Sequence, residues 1–281
     1  MNLEEHLKLF NIFHFKSFDE IEDFAYANWP KPTKREIKFL NQREKADPSS
    51  DFKDNLKFYS AIGKSEILQS LILSERYGSY ESSSNFIVKN LSGLKKILDI
   101  GCSTGYLTTY YALKFPESSF IGIDFSLESV NKANTMKEKL NLNNVDFIIE
   151  DMNSINYPEK YFDCILDTQS IYYSKDYSKT FNHLKKVLSD EGLLITIPGI
   201  GEKDLIKQYI NEIEGAGFSI QYFKFIETKN LGKTEYLPTI TCSLKKPKEK
   251  INIDQIISKL FNSLLSFTCS LPSFSIIALA T

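Results

Sequence analysis

The sequence predicts an α/β fold, a mostly parallel sheet covered by helices on both faces with a helical segment ahead of it. Two observations carry this. Between residues 95 and 244, apolar strand-like runs alternate with helical stretches. Those helical stretches have end signals where a crossover needs them: Ser126 stands before one, and Gly192 follows another. At 281 residues, 42% of them hydrophobic, the chain can bury the core this fold requires.

Taken in order, residues 1–60 are aromatic and charged, and "NWPKPTK" and "KADPSSDFKD" interrupt them, so only short helices are expected there. Residues 61–92 read as two helices, "IGKSEILQSLILSERY" and "SSNFIVKNL", separated by a turn-like "GSYESS". Seven strands follow, at "KKILDI", "SFIGID", "VDFIIE", "FDCILD", "GLLITI", "FSIQYFKFI" and "TITCSL". A helix over 127–140 is capped by Ser126. Another runs after Asp176 through "YSKTFNHLKKVL", with Gly192 as its stop signal. The Lys-rich "KKPKEK" is a solvated linker. Residues 260–281 carry no charge, which raises the question of a membrane anchor. Their many Ser, with Asn262 and Pro272, dilute the run and favour packing on the domain, with "SIIALA" as an additional or alternative final strand. The last strand is therefore 238–244 or 275–280. The expected division is a helical cap or lid over 1–92, a ligand-binding domain over 93–250, and an apolar C-terminal segment over 251–281.

Charge and composition exclude several classes. Lys and Arg number 34 against 36 Asp and Glu, a net charge of −2, which gives no overall electrostatic footprint for nucleic acid. The cysteines, Cys102, Cys164, Cys242 and Cys269, are scattered singly, and the histidines are His6, His14 and His183. Neither a disulfide framework nor a metal cluster is spelled out. The start, "MNLEEHLKLF", is acidic where a secretion signal is basic, so a cytoplasmic protein is expected.

The chemistry gathers at "ILDIGCSTGYL", residues 97–107. A strand ending in Asp99, then Gly101 and Gly105, then a helix opening near Tyr106, brings backbone N–H groups and a helix N-terminus to the carboxyl edge of the first strand, where open α/β sheets bind ligands. A dinucleotide fingerprint would need Gly at 101, 103 and 106. Gly101, Ser103 and Tyr106 stand there, and no Gly-Lys-Ser/Thr follows for a phosphate loop.

"ILDIGCSTG" resembles the first motif of the class I S-adenosylmethionine-dependent methyltransferases: an apolar strand, an acid, any residue, Gly, and a loop closed by a second Gly. Ser103 departs from the commoner Gly, a mild change because Ser is small. The resemblance extends over residues 95–218. It implies a Rossmann-like seven-stranded sheet with an antiparallel last strand, and S-adenosylmethionine as cofactor. Asp124, ending "FIGID", implies an acceptor for both ribose hydroxyls. Asp151, in "FIIEDMNS", would meet the adenine amino group, with Met152 against the ring. "YFDCILDTQSIYYSKD" matches the fourth-strand segment. The implied cofactor-binding set is Asp99, Gly101, Cys102, Ser103, Gly105, Tyr106, Asp124, Phe125, Asp151, Met152 and Thr168. On their own, the acids have plainer readings: Asp99 as a loop brace, Asp124 as a helix cap, Asp151 as a turn acid. Cys102 has no base nearby in sequence and reads as a small filler, and His183 as a helix-face residue.

Methyl transfer from a sulfonium needs alignment and exclusion of water more than side-chain chemistry, which fits a sequence without a Ser-His-Asp, Cys-His or metal constellation. Tyr106 and Tyr172 could face the sulfonium, a contact of about 0.5–2 kcal/mol. Tyr172 and Tyr173, after the fourth strand, are the candidate catalytic residues of a methyl-transfer chamber. Enzymes that methylate exocyclic amines of bases carry Asn or Asp, Pro, Pro and an aromatic there. "DTQSIYY" argues against that substrate and for a small metabolite methylated at C, N or O, with no nucleic acid or membrane partner. The alternatives are a protein methyltransferase, with residues 1–60 recognising a polypeptide, or a non-catalytic binding module. Phe13, Phe18, Trp29, Tyr59 and Tyr77 either wall a pocket over the site or glue the cap to the domain.

Overall fold

The computed structural model of the protein describes residues 1–29, 36, 52–247 and 251–268. The alternative strand at 275–280 lies outside these residues. Among the described residues, five helices precede the sheet: α1 (Leu3–Lys8), α2 (Phe18–Asn28), α3 (Phe52–Lys64), α4 (Glu66–Ser74) and α5 (Tyr77–Asn90). Then come β1 (Lys96–Ile100), α6 (Tyr106–Lys114), β2 (Ser119–Asp124), α7 (Leu127–Lys139), β3 (Val145–Ile149), β4 (Phe162–Thr168), α8 (Tyr177–Val187), β5 (Leu188–Ile197), α9 (Lys203–Gly215), β6 (Ser219–Asn230), β7 (Lys233–Ser243) and α10 (Ile253–Thr268).

The seven strands form one sheet in the order β3-β2-β1-β4-β5-β7-β6. Strands β1 to β5 pair in parallel, and β7 runs antiparallel to both β5 and β6. The strand order reverses between β1 and β4, which opens a crevice at their carboxyl ends. Neighbours along a strand face opposite sides, and both sides are apolar. Ile97, Cys164 and Ile195 pack with α1, α5, α6 and α7, whereas Leu98, Ile165 and Leu194 pack with α8, α9 and α10. Among the described residues the last strand of the sheet is β7, which contains most of the 238–244 candidate.

Two local expectations are corrected. "GSYESS" is not a turn but part of α5; the chain breaks two residues earlier, at Arg76, which precedes the helix. Gly78 is there for contact. A Cβ at 78 would lie 2.1 Å from the carbonyl oxygen of Lys229, so its absence lets α5 lie against the end of β6. Gly192 does not stop α8, which ends at Val187; the chain passes straight into β5, and Gly192 lies within that strand. By contrast, the helix after Ser126 forms as read: Ser126 Oγ accepts from Ser129 N at 3.2 Å.

Helix α10 buries Ile257 against the α8–α9 face and pairs Asp254 with Lys207 at 2.8 Å. Among the described residues, no helix is long and apolar enough to cross a membrane. At the other end, α1 docks on α6 through His6, whose Nε2 lies 2.8 Å from the Tyr106 carbonyl and 3.1 Å from Thr109 Oγ1. Burial holds its pKa down at about 4, because a charged imidazole would be desolvated there.

Candidate active site

The floor of the site is the loop from β1 to α6. Gly101 has φ 66°, in the left-handed region, and a Cβ there would meet Ser170 Cβ at 2.4 Å. Ser170, just past β4, is itself fixed: its hydroxyl lies 2.7 Å from the Ile100 carbonyl and 2.6 Å from Asp167 Oδ1. The glycine is thus required by the β1–β4 contact. Gly105 precedes α6 with φ 76°, and a Cβ there would crowd Phe147 and Ala133 at 2.8 and 2.9 Å. Ser103 also sits in the left-handed region, at φ 51°. For a residue with a Cβ this costs about 1 kcal/mol, which is why Gly is the easier occupant.

Asp124 holds this loop to β2. Its Oδ2 accepts from Ser103 N and its Oδ1 from Ser126 N, both at 2.9 Å. Burial pushes its pKa up to about 6, against the pull of the two amides. Asp99 is buried too, and accepts from Thr108 Oγ1 at 2.5 Å. Burial first, then the neighbouring Asp167 and Asp124 charges, push its pKa up to about 7. Two acids one strand apart thus sit differently: Asp124 borders open space, and Asp99 braces α6.

That open space consists of two adjoining cavities of about 390 and 570 Å³. They share six wall residues: Tyr59, Gly101, Asp124, Phe125, Met152 and Tyr173. Asp151 borders the smaller cavity only; it is exposed and accepts from Asn153 N at 2.9 Å. The larger cavity is bordered by Ser103, Tyr106, Thr168 and Tyr172, by Arg76 and Tyr80 of the helical cap, and by the tip of the β6–β7 hairpin and α10. The structure therefore brings ten of the named residues to these walls. Asp99, Cys102 and Gly105 lie behind the walls, and Asp151 joins only the smaller cavity.

The roof comes from α3 to α5. Tyr59 crosses Phe125 and Tyr173 edge-on, at 5.8 Å between ring centres in each case. Of the aromatics read as pocket walls or glue, Tyr59 alone lines the cavities. Trp29 and Phe18 pack on Ile21, Ala25 and Leu71; Phe13 meets Phe24 at a tilt, 4.6 Å between ring centres; Tyr77 stacks on His14 at 4.8 Å. These four are glue. Sequence reading missed Arg76, Gln169 and Ser170, which belong to no periodic pattern. Among the described residues, no group of three or more His, Cys, Asp or Glu could hold a metal.

A family model described as a methyltransferase domain matches residues 91–230. The chain is 36% identical over 108 residues to malonyl-[acyl-carrier protein] O-methyltransferase 1 of Ilyobacter polytropus, covering 38% of each chain. It is 41% identical over 61 residues to a tRNA (guanine-N(7)-)-methyltransferase of Rubrobacter xylanophilus, covering 22% of this chain and 27% of that one. The matched part thus spans well under half of these relatives. In fold, the chain is similar to a solved SAM-dependent methyltransferase from Aquifex aeolicus, with TM-score 0.52 and 20% identity, covering 70% of this chain and 98% of that one.

Proposed function

Because the chain belongs to the class I S-adenosylmethionine-dependent methyltransferases, we propose that it methylates a small molecule held in the chamber of about 570 Å³. The observation that carries this reading is the junction of the two cavities at six shared residues, which gives a nucleoside and an acceptor one common boundary. The residues fit the cofactor. Each oxygen of Asp124 has one amide donor, leaving acceptor capacity for two ribose hydroxyls. Phe125 and Met152 border the smaller cavity beside Asp124 and Asp151, where they would hold the adenine, and Gly101 has no side chain to obstruct a ligand's approach.

When bound, S-adenosylmethionine supplies an electrophilic methyl group on a sulfonium. The chain's part is to align and to dry the site. Tyr59 covers the junction, and Tyr106 and Tyr172 offer ring faces to a cation. Burial pushes the Tyr172 phenol well above its ordinary pKa, so it stays protonated at neutral pH and acts as a hydrogen-bond donor, not as a base. The acceptor's reacting atom is therefore oriented by neutral hydroxyls.

Methyl turnover across a panel of metabolites, a carrier protein, other polypeptides and tRNA, with S-adenosylhomocysteine binding as control, tests the proposal. Turnover of a metabolite is the expected result. Turnover confined to tRNA or to protein would replace the substrate class, and nucleoside binding without any turnover would favour a binding module.

A further inference from the structure

The chamber contains one side chain that the transfer of a methyl group does not require: Arg76. It stands between α4 and α5, borders the chamber, and hydrogen-bonds Gln169, a residue held at φ 61° beside Thr168. Tyr172 also hydrogen-bonds it, and the phenols of Tyr173, Tyr80 and Tyr59 lie close enough to act on its charge. Those neighbours are neutral. Among the described residues, Arg76 enters no ion pair, although Glu75, Glu235 and Asp124 border the same chamber. A guanidinium surrounded by phenols is supplied with hydrogen-bond acceptors but not with a counter-charge, and taking such a cation out of water is costly. The chamber is also bordered by the apolar side chains of Ile206, Phe225, Leu237 and Leu260.

We propose that the acceptor substrate is an anion with an apolar body, whose carboxylate or other oxyanion docks on the Arg76 guanidinium beside Tyr172. This rests on the reading of the chamber as the acceptor site. An oxyanion gives Arg76 the bidentate partner its planar fork fits, and it leaves the rest of the molecule to those apolar side chains. Arg76 borders the larger cavity together with Ser103, Tyr106 and Thr168 of the implied cofactor set, so the nucleoside's own carboxylate is the rival occupant that the test must separate from an acid on the acceptor.

The test uses two acid–amide pairs, 4-phenylbutyrate with 4-phenylbutyramide and octanoate with octanamide, titrated into the full chain with and without saturating S-adenosylhomocysteine. At least one acid should bind about tenfold or more tightly than its amide. Arg76→Gln should reduce that preference to under about twofold and leave S-adenosylhomocysteine affinity within about twofold, and Arg76→Lys should keep an intermediate preference. Equal binding of acid and amide to the wild type, or no acid binding at millimolar concentration, overturns the proposal. So does an Arg76→Gln or Arg76→Lys variant that loses S-adenosylhomocysteine but keeps 5′-methylthioadenosine, since Arg76 would then hold the cofactor's own carboxylate. Acid selectivity that depends on Arg76 without any nucleoside binding upholds the anion site and removes the methyltransferase reading instead.

Discussion

The floor and the roof of the site are built on different principles. The floor, from Gly101 to Asp124, consists of backbone amides, three left-handed residues and a buried carboxylate, all drawn from consecutive elements of the sheet. The roof and the rest of the wall bring single side chains, Tyr59, Arg76, Tyr80, Leu237 and Leu260, from helices and a hairpin far apart in the chain. A floor of this kind holds what is common to a family, because backbone geometry leaves little to vary. A roof made of side chains can be changed one residue at a time.

The largest effect expected from testing this contrast is at Gly101. Gly101→Ala places a Cβ 2.4 Å from Ser170 Cβ at a positive φ, and should cost about 3 kcal/mol or more of stability. Thermal unfolding of Gly101→Ala, alone and combined with Ser170→Gly, checks this: partial recovery in the double variant is expected. No recovery would mean that backbone strain, not the β1–β4 contact, fixes the glycine.

The floor should next show itself in cofactor affinity. Asp124→Ala should weaken S-adenosylhomocysteine binding by about 2 kcal/mol, roughly 30-fold, through loss of a charged acceptor. Asp151→Ala should cost less than about fivefold, since that acid is exposed and is spent on Asn153. With the pKa of Asp124 at about 6, protonation removes its acceptor capacity, so wild-type affinity should fall as pH drops through 6. Calorimetry at pH 5 and 7.5 decides it; equal affinities would mean that Asp124 only braces the loop.

A pH-dependent stability effect is expected in the cap. The pKa of His6 is about 4 in the fold against an ordinary 6.5, so the unfolded chain binds the proton first as the solution is acidified. The contribution is complete above pH 6.5 and is lost as pH falls towards 4, about 3 kcal/mol in all. Urea unfolding of wild type and His6→Gln from pH 7.5 to 4 should show the difference between them shrinking over that window. A constant difference would show that His6 does not titrate between the two states.

The same contrast explains what could be read from the sequence. The strands, the capped α7 and the glycine loop were legible because each follows from neighbours in sequence: apolar runs, Ser126 before its helix, Gly101 and Gly105 four apart. The turn read at "GSYESS" failed because Gly78 answers to Lys229, 151 positions away along the chain, and local composition carries no trace of that contact. The stop read at Gly192 failed because α8 meets β5 without a loop. Arg76 and Gln169 were invisible for a related reason: one Arg at a helix start looks like any solvated cation until the cavity around it is known. Among the aromatics of the cap, only packing separates Tyr59 from Trp29.

Tyr59 has one consequence for how the two ligands sense each other. Its ring borders both cavities and touches both Phe125 and Tyr173, so any shift that one occupant imposes on it is felt by the other. If that shift differs between empty and filled compartments, binding in the two is linked, and linkage is symmetric: the factor by which the nucleoside changes affinity for the acceptor is the factor by which the acceptor changes affinity for the nucleoside. A methylated product that no longer fits under the ring would then loosen the spent nucleoside by the same factor, and turnover would clear both compartments together.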